Sequence, residues 1–275
     1  MAKISVVICC ANSQDTLAPA CQSVQWADEI LVIDSGSADE TPTIAQKYAH
    51  RYLVEPWRGY SGQKAFGAEQ AKNDWVFVLD GDEECSDQLR DEILALTDQD
   101  FQSYDLFMLR RKNFVLNKPV RAWWPDWQSR LIQRKKITWS DDVLHENRQA
   151  SDPKRVRHFK GWIDHKRTSQ AGFSDYFSGA RMDERLIPVA QQLYERGKRC
   201  GFLSLVFRPI AAFFKFYVLK KGFLDGAFGL LIAQKASVST QLKYAALYQV
   251  QQEHKRNIKN KTESTKRPSI KDKNK

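Results

Sequence analysis

The chain has no CxxC pair, no GxGxxG, no GxxxxGK[ST] and no charge-free stretch of membrane-spanning length. Each absence removes a class. Without paired CxxC spacing, the five cysteines do not read as a zinc or dithiol site. Adjacent Cys9-Cys10 sit in an apolar run, so buried, reduced thiols in a cytosolic protein are expected. Without the glycine-rich fingerprints, dinucleotide-binding and P-loop readings lose support. The longest run free of charged residues, Thr16 to Ala27, has 12 residues, against about 20 needed to cross a bilayer. The first residues read as a strand, with no basic n-region and no small-residue cleavage site, so no signal peptide is expected.

What is present is unevenly charged. The net charge of +10 hides a split: residues 1–100 hold 7 Lys/Arg and 18 Asp/Glu, and residues 101–275 hold 36 and 15. An acidic half suits a cation and a basic half suits something anionic. Two solvated faces and a basic tail are the plainer alternative.

The first hundred residues alternate strand and helix patterns. Ile4–Cys10, Glu29–Ile33, Tyr52–Val54 and Trp75–Leu79 are apolar and β-branched, as buried strands are. Helical patterns over Thr16–Gln25, Thr41–Ala49 and Gly62–Ala71 separate them. This alternation predicts an α/β fold: a Rossmann-like, mainly parallel sheet with helices on both faces. Ligands of such sheets bind beyond the carboxyl ends of the strands. Three polar loops fall at that edge: Asn12–Asp15, Asp34–Asp39 and Asp80–Glu84.

The last loop carries the most chemistry. Asp80 and Asp82 stand two residues apart, so an extended backbone puts both carboxylates on one side. At about 5 Å they repel by roughly 3 kcal/mol at an effective dielectric near 20. A divalent cation, Mg²⁺ or Mn²⁺, shared with substrate phosphates relieves this. Asp34 can accept from a ribose or a base, or close an Asx-turn. Asn12 can meet a base edge, or cap a helix. Lys64 can meet a diphosphate, or stay solvated.

The order and spacing of several segments resemble the family 2 glycosyltransferases. These are Ser5-Val6-Val7-Ile8 with Asn12, Trp26 through Thr41, Gly62-Gln63-Lys64, and Asp74 through Glu83. Trp124-Pro125-Asp126, Arg130-Leu131, Leu144-His145-Glu146 and Gly222 through Gly226 are similar to the branch of lipopolysaccharide inner-core β-glucosyltransferases. The resemblance covers roughly residues 3 to 250. It implies a GT-A fold, an inverting mechanism and a nucleotide-sugar donor, UDP-glucose in the closest branch. It also implies that Asp80 faces the ribose and Asp82 binds the metal. Two positions depart from the family's pattern. Ser35 follows Asp34 where many members have a second acid, and Ser13-Gln14 follow Asn12 where many have two glutamates. Both bear on binding of the base, and neither touches the metal site.

Inverting transfer needs a general base. Glu146 matches the family's position, with Asp142 and Asp141 behind it. His165 is a candidate for the metal, for the acceptor or for the bare surface. Trp124, with Trp123 and Trp127, suits a sugar platform or a satellite core. Asp126 belongs to the same acceptor segment. Arg130 can pair with acceptor phosphates or with Asp126.

Four segments are expected: a donor half at 1–100, an acceptor half at 101–172, an amphipathic helical region at 173–253 and a disordered basic tail at 254–275. Residues 196–235 hold eight Lys/Arg and one Asp among many aromatics. Such a helix suits an anionic bilayer, or it packs on the catalytic core. With a lipid-linked inner-core acceptor, the first reading makes the protein peripheral on the cytoplasmic face of the bacterial inner membrane. No nucleic-acid partner is expected, since no such signature appears. Two rivals stay open: a nucleotidyltransferase and a basic nucleic-acid-binding protein.

Overall fold

The computed structural model describes residues 2–115, 117–139, 148–166 and 180–266. The chain divides into two compact units, Met1–Tyr176 and Phe177–Lys275.

In the first unit β1 (Ile4–Cys10), β2 (Glu29–Asp34), β3 (Arg51–Val54) and β4 (Trp75–Asp80) alternate with α1 (Leu17–Gln22), α2 (Thr41–Tyr48) and α3 (Gly59–Gln70). Next come β5 (Glu83–Cys85), α4 (Asp87–Leu94), α5 (Asp98–Ser103), β6 (Leu106–Val115), β7 (Lys118–Pro119) and β8 (Asp126–Gln133). The unit's described elements end with β9 (Ile137–Trp139), β10 (Arg148–Ala150) and β11 (Val156–Lys166). Among the described residues one sheet runs β3-β2-β1-β4-β8-β6-β11-β5, with β7 on β6. The pairings from β3 through β4 are parallel, as expected. The sheet then turns mixed: β8 joins β4 and β6 antiparallel, and β5 joins β11 antiparallel.

The strand alternation explains the layers. Val6, Ile8 and Cys10 of β1 point into a core with Leu17 and Cys21 of α1 and Leu89 and Ile93 of α4. Val7 points the other way, toward Ala68 of α3. Burial on both faces is why these strands read as unbroken apolar runs. Helix α1 is shorter than the expected Thr16–Gln25. Ser23 Oγ donates to Ala20 O and Gln25 Nε2 to Cys21 O, so side chains take up carbonyls at its end. All five cysteines are free, and four are buried. Burial pushes the Cys21 and Cys85 thiols up to about 12.

The second unit is helical: α6 (Ala180–Glu195), α7 (Phe202–Phe214) and α8 (Gly226–Lys266). Arg208 stacks on Tyr244, and Ser237 Oγ donates to Pro209 O. Cys200 and Gln251 exchange two hydrogen bonds. Partners rise along α7 as they fall along α8, so the two form an antiparallel hairpin. At its tip Lys221 is left-handed, and a Cβ on Gly229 would lie 1.8 Å from Gly222 O. Only glycine lets the chain turn that tightly.

Two expectations change here. Helix α8 continues past His254 to Lys266, where a disordered tail was expected. Its last turns are rich in straight-chain residues of good helix propensity, and the first proline is Pro268. Phe202–Leu219 is also an 18-residue helical run long and apolar enough, by length and composition, to cross a membrane. Arg208 and Lys215 interrupt it, so a search for charge-free runs does not see it.

One close approach anchors α4 to the sheet. A Cβ on Gly161 would lie 2.5 Å from Leu89 Cα, while Glu92 accepts from the backbone N–H groups of Lys160 and Gly161. Gly161→Ala is therefore expected to destabilise the protein by about 1–3 kcal/mol. Thermal unfolding checks this, and an unchanged melting temperature would contradict the packing.

Candidate active site

The three polar loops meet at the carboxyl ends of β1, β2 and β4. Ser35 N–H donates to Cys10 O, and Gly81 N–H donates to Cys9 O. Asn12, in the left-handed region at φ 47°, stitches the first two loops together. Its N–H donates to Ser37 Oγ at 2.8 Å, and its Oδ1 accepts from Ala38 N–H at 2.9 Å. Asp34 is buried and accepts from Ser37 N–H, from Ser37 Oγ at 2.6 Å and from Tyr52 OH at 2.7 Å. Asp34 thus closes an Asx-type turn. Burial, and then Asp34 itself, push the Tyr52 phenol up.

The acidic turn is built around a carboxylate that sequence reasoning passed over. Glu83 is fully buried. Its Oε1 accepts from Arg130 Nη2 at 2.6 Å and from Arg111 Nη1 at 3.4 Å, and its Oε2 accepts from Asp80 N–H at 3.0 Å. Asp80 then meets two cations, Lys64 Nζ at 2.6 Å and Arg130 Nη2 at 3.3 Å. Burial alone would raise its pKa; Lys64 and Arg130 outweigh that and hold the carboxyl well below the usual range. Gly81 fits because a Cβ there would approach Cys10 Cβ to 2.8 Å.

Asp82 has a different environment. No lysine or arginine among the described residues pairs with it; its Oδ2 lies 3.2 Å from His165 Nε2. Lys166 N–H fixes its backbone by donating to Asp82 O at 2.9 Å. Two acids of one turn therefore carry opposite balances: Asp80 is neutralised from within the protein, and Asp82 is left for something positive. Among the described residues no cluster of three or more His, Cys, Asp or Glu side chains could hold a metal ion. Asp82 and His165 are the side chains of this turn whose donor atoms would suit a divalent ion.

Several expected roles are corrected by position. Lys64 is buried with its ammonium on Asp80, so it is not the solvated lysine that was the alternative. Arg130 is 1% exposed, inside the Glu83–Asp80 cluster. There its partners are Glu83 and Asp80, and it does not pair with Asp126. Asp126 instead accepts from Arg111 at 2.8 Å, Asn113 at 3.1 Å and Gln128 at 2.8 Å. Trp124 is half-buried, with Arg110 4.9 Å from its ring centre and Trp162 edge-on. Trp127 is exposed and meets His158 edge-on. His165 is buried and belongs to the site. Glu146, Asp142 and Asp141 lie outside the described residues. Glu83, Arg111 and Asn113 were missed. Glu83 had a signal, being the third acid of the turn; Asn113 reaches His165 only through the β6–β11 register.

Known proteins match this arrangement. The profile of "Glycosyl transferase family 2" matches residues 5–162. Over 266 residues the chain is 29% identical to the lipopolysaccharide core biosynthesis glycosyltransferase LpsC of Rhizobium meliloti (strain 1021), covering 90% of this chain and 92% of that protein. It is 30% identical over 243 residues to an uncharacterized glycosyltransferase of Rickettsia conorii, covering 83% of this chain and 84% of that one. Among solved structures, S. aureus TarS 1-349 is similar with a TM-score of 0.44 and 14% identity, over 93% of this chain and 92% of that one. The matched residues contain β1 to β4, the acidic turn and its buried arginine, and the chain belongs to glycosyl transferase family 2, a glycosyltransferase of GT-A fold.

Proposed function

We propose that the chain transfers a hexose, glucose from UDP-glucose, onto a lipid-linked saccharide of the lipopolysaccharide inner core, inverting at the anomeric carbon. The observation that carries this is the split acidic turn, with Asp80 neutralised by Lys64 and Arg130 and Asp82 facing His165. Membership in the family decides against the nucleotidyltransferase alternative. The core-biosynthesis relative supports the acceptor class.

In this reading Asp82 and His165 hold Mn²⁺ or Mg²⁺, which when bound neutralises the departing diphosphate. Each Asp80 oxygen keeps a lone pair beside its cation, so it accepts a ribose hydroxyl without losing Lys64 or Arg130. Asn12 and Asp34 shape the loop pair that receives the base. Glu146, with Asp142 as runner-up, takes the proton from the acceptor hydroxyl. That oxygen bonds to the anomeric carbon as the bond to phosphate breaks, and the electron pair leaves on the diphosphate. Trp124 and Asp126 stand on the acceptor side, and Arg110 and Lys112 beside the Trp124 ring favour an acceptor with anionic substituents.

The second unit suits an anionic membrane. Leu203, Phe207, Ile210 and Phe214 are exposed at helical spacing, with Phe202 and Leu219 exposed at the two ends of the run. Lys198, Arg199, Lys220 and Lys221 frame them, while Arg208 turns inward onto Tyr244. The run of 18 residues measures about 27 Å, close to bilayer thickness. Crossing would nonetheless carry Lys235 and Lys243 of antiparallel α8 into hydrocarbon. Lying in the interface costs none of this, and it places the protein peripherally on the cytoplasmic leaflet, where a lipid-linked acceptor is presented.

Four outcomes follow. In a panel of nucleotide sugars with divalent cation, UDP-glucose should give the fastest release of UDP; pyrophosphate release instead would contradict glycosyl transfer. Asp82→Asn should abolish cation-dependent turnover with an unchanged circular dichroism spectrum. Glu146→Gln should retain donor binding and lose transfer by about 10²–10⁴-fold, and normal turnover would rule it out as base. On flotation, the protein should rise with phosphatidylglycerol vesicles at low salt and less so as a Leu203→Glu/Phe207→Glu variant; equal behaviour of the two would remove the helix from membrane binding.

A further inference from the structure

His165 on β11 stands in register with Asn113 on β6, and both side chains are buried. His165 Nδ1 lies 2.7 Å from Asn113 Oδ1. Which end of the amide faces the ring is decided one bond further out. Asn113 Nδ2 donates to Asp126 Oδ2 at 3.1 Å. Burial would raise the Asp126 pKa, but Arg111, Asn113 and Gln128 outweigh it and lower it, so Asp126 is ionised. An ionised carboxylate only accepts. Flipping the amide would set oxygen against oxygen at Asp126 and would leave Nδ1 facing a donor. The polarity therefore runs one way: Arg111 and Gln128 donate to Asp126, Asn113 donates to Asp126, and His165 Nδ1–H donates to Asn113. With its proton held on Nδ1, the ring turns Nε2 toward Asp82 Oδ2, 3.2 Å away.

We infer that Asn113, oriented by Asp126, is a positioning residue that locks His165 in the Nδ1–H tautomer, and that this lock makes the Asp82–His165 pair prefer Mn²⁺ to Mg²⁺. The inference rests on the divalent-cation reading above. Imidazole nitrogen suits first-row transition ions, whereas Mg²⁺ keeps to oxygen donors and water. Partners that orient a ligating histidine typically change metal affinity by about 10–100-fold when removed. The same network accounts for the buried Asn113, whose amide spans His165 and Asp126.

The full chain, stripped of metal and labelled with ¹⁵N-histidine, gives the first test. The His165 resonances, identified by their loss in His165→Gln, should report a proton on Nδ1; a proton on Nε2 alone would overturn the assignment. The second test is Mn²⁺ titration by electron paramagnetic resonance in the presence of UDP, with Mg²⁺ as competitor. Asn113→Leu should weaken Mn²⁺ binding about 10–100-fold and leave Mg²⁺ nearly unchanged. The paired variant Asn113→Asp with Asp126→Asn exchanges amide and carboxylate while keeping an acceptor for Nδ1–H, and should restore Mn²⁺ binding. Wild-type affinity in Asn113→Leu, or no recovery in the exchanged pair, would overturn the lock. Should Asn113→Leu fail to fold, the wild-type spectrum and the exchanged pair decide the matter. A wild-type protein that shows the Nδ1–H tautomer and binds no Mn²⁺ would overturn the cation reading, and with it the metal preference, while the tautomer assignment stands.

Discussion

The buried contact between Arg130 and Glu83, at 2.6 Å, is the constraint on which the strand-end site depends. Taking two charges out of water costs several kcal/mol per ion, and a mutual ion pair offsets that only when the remaining hydrogen-bonding capacity is used. Here much of it is used. Glu83 also receives Arg111 and the Asp80 N–H, and Arg130 also donates to Val78 O and Asp80. The return is geometric rather than energetic. The pair ties β8 to the turn after β4, and Glu83 holds the Asp80 N–H from within that turn.

From that fixed turn the two aspartates acquire different jobs by electrostatics alone. Lys64 from α3 and Arg130 from β8 converge on Asp80 and cancel its charge. Nothing among the described residues cancels Asp82 in the same way; it faces an imidazole whose far side is held by Asn113. The repulsion that makes a pair of nearby carboxylates unfavourable is thus relieved by the protein at Asp80; in the proposed reading a cation relieves it at Asp82. In the proposed reading, a site built so suits a leaving group that arrives with its own negative charge.

Much of this was legible in the sequence, and the failures have physical causes. β-Branched runs marked β1, β2 and β4, and the Asp80-Gly81-Asp82 spacing marked the acidic turn at the strand ends, because both are local patterns. Arg130 was misjudged because four residues along a strand span about 13 Å, too far for Asp126 to be its partner; its true partner lies across the sheet, in a strand order that no local pattern reveals. Lys64 read as a free cation because nothing in a helix pattern says that its end meets Asp80. Asn113 and His165 come together through register between β6 and β11, 52 residues apart. The apolar run of α7 escaped a search for charge-free residues because its two cations sit within it; Arg208 lies on the inner side of a helical hairpin, so it does not break the outer stripe.

The division of roles within the turn can be seen directly. Crystals grown with UDP and soaked in Mn²⁺, measured for anomalous scattering at the manganese edge, should show one peak between Asp82 Oδ2 and His165 Nε2, with Asp80 still held by Lys64 and Arg130. A peak on Asp80 with Lys64 displaced, or none at either aspartate, would contradict it.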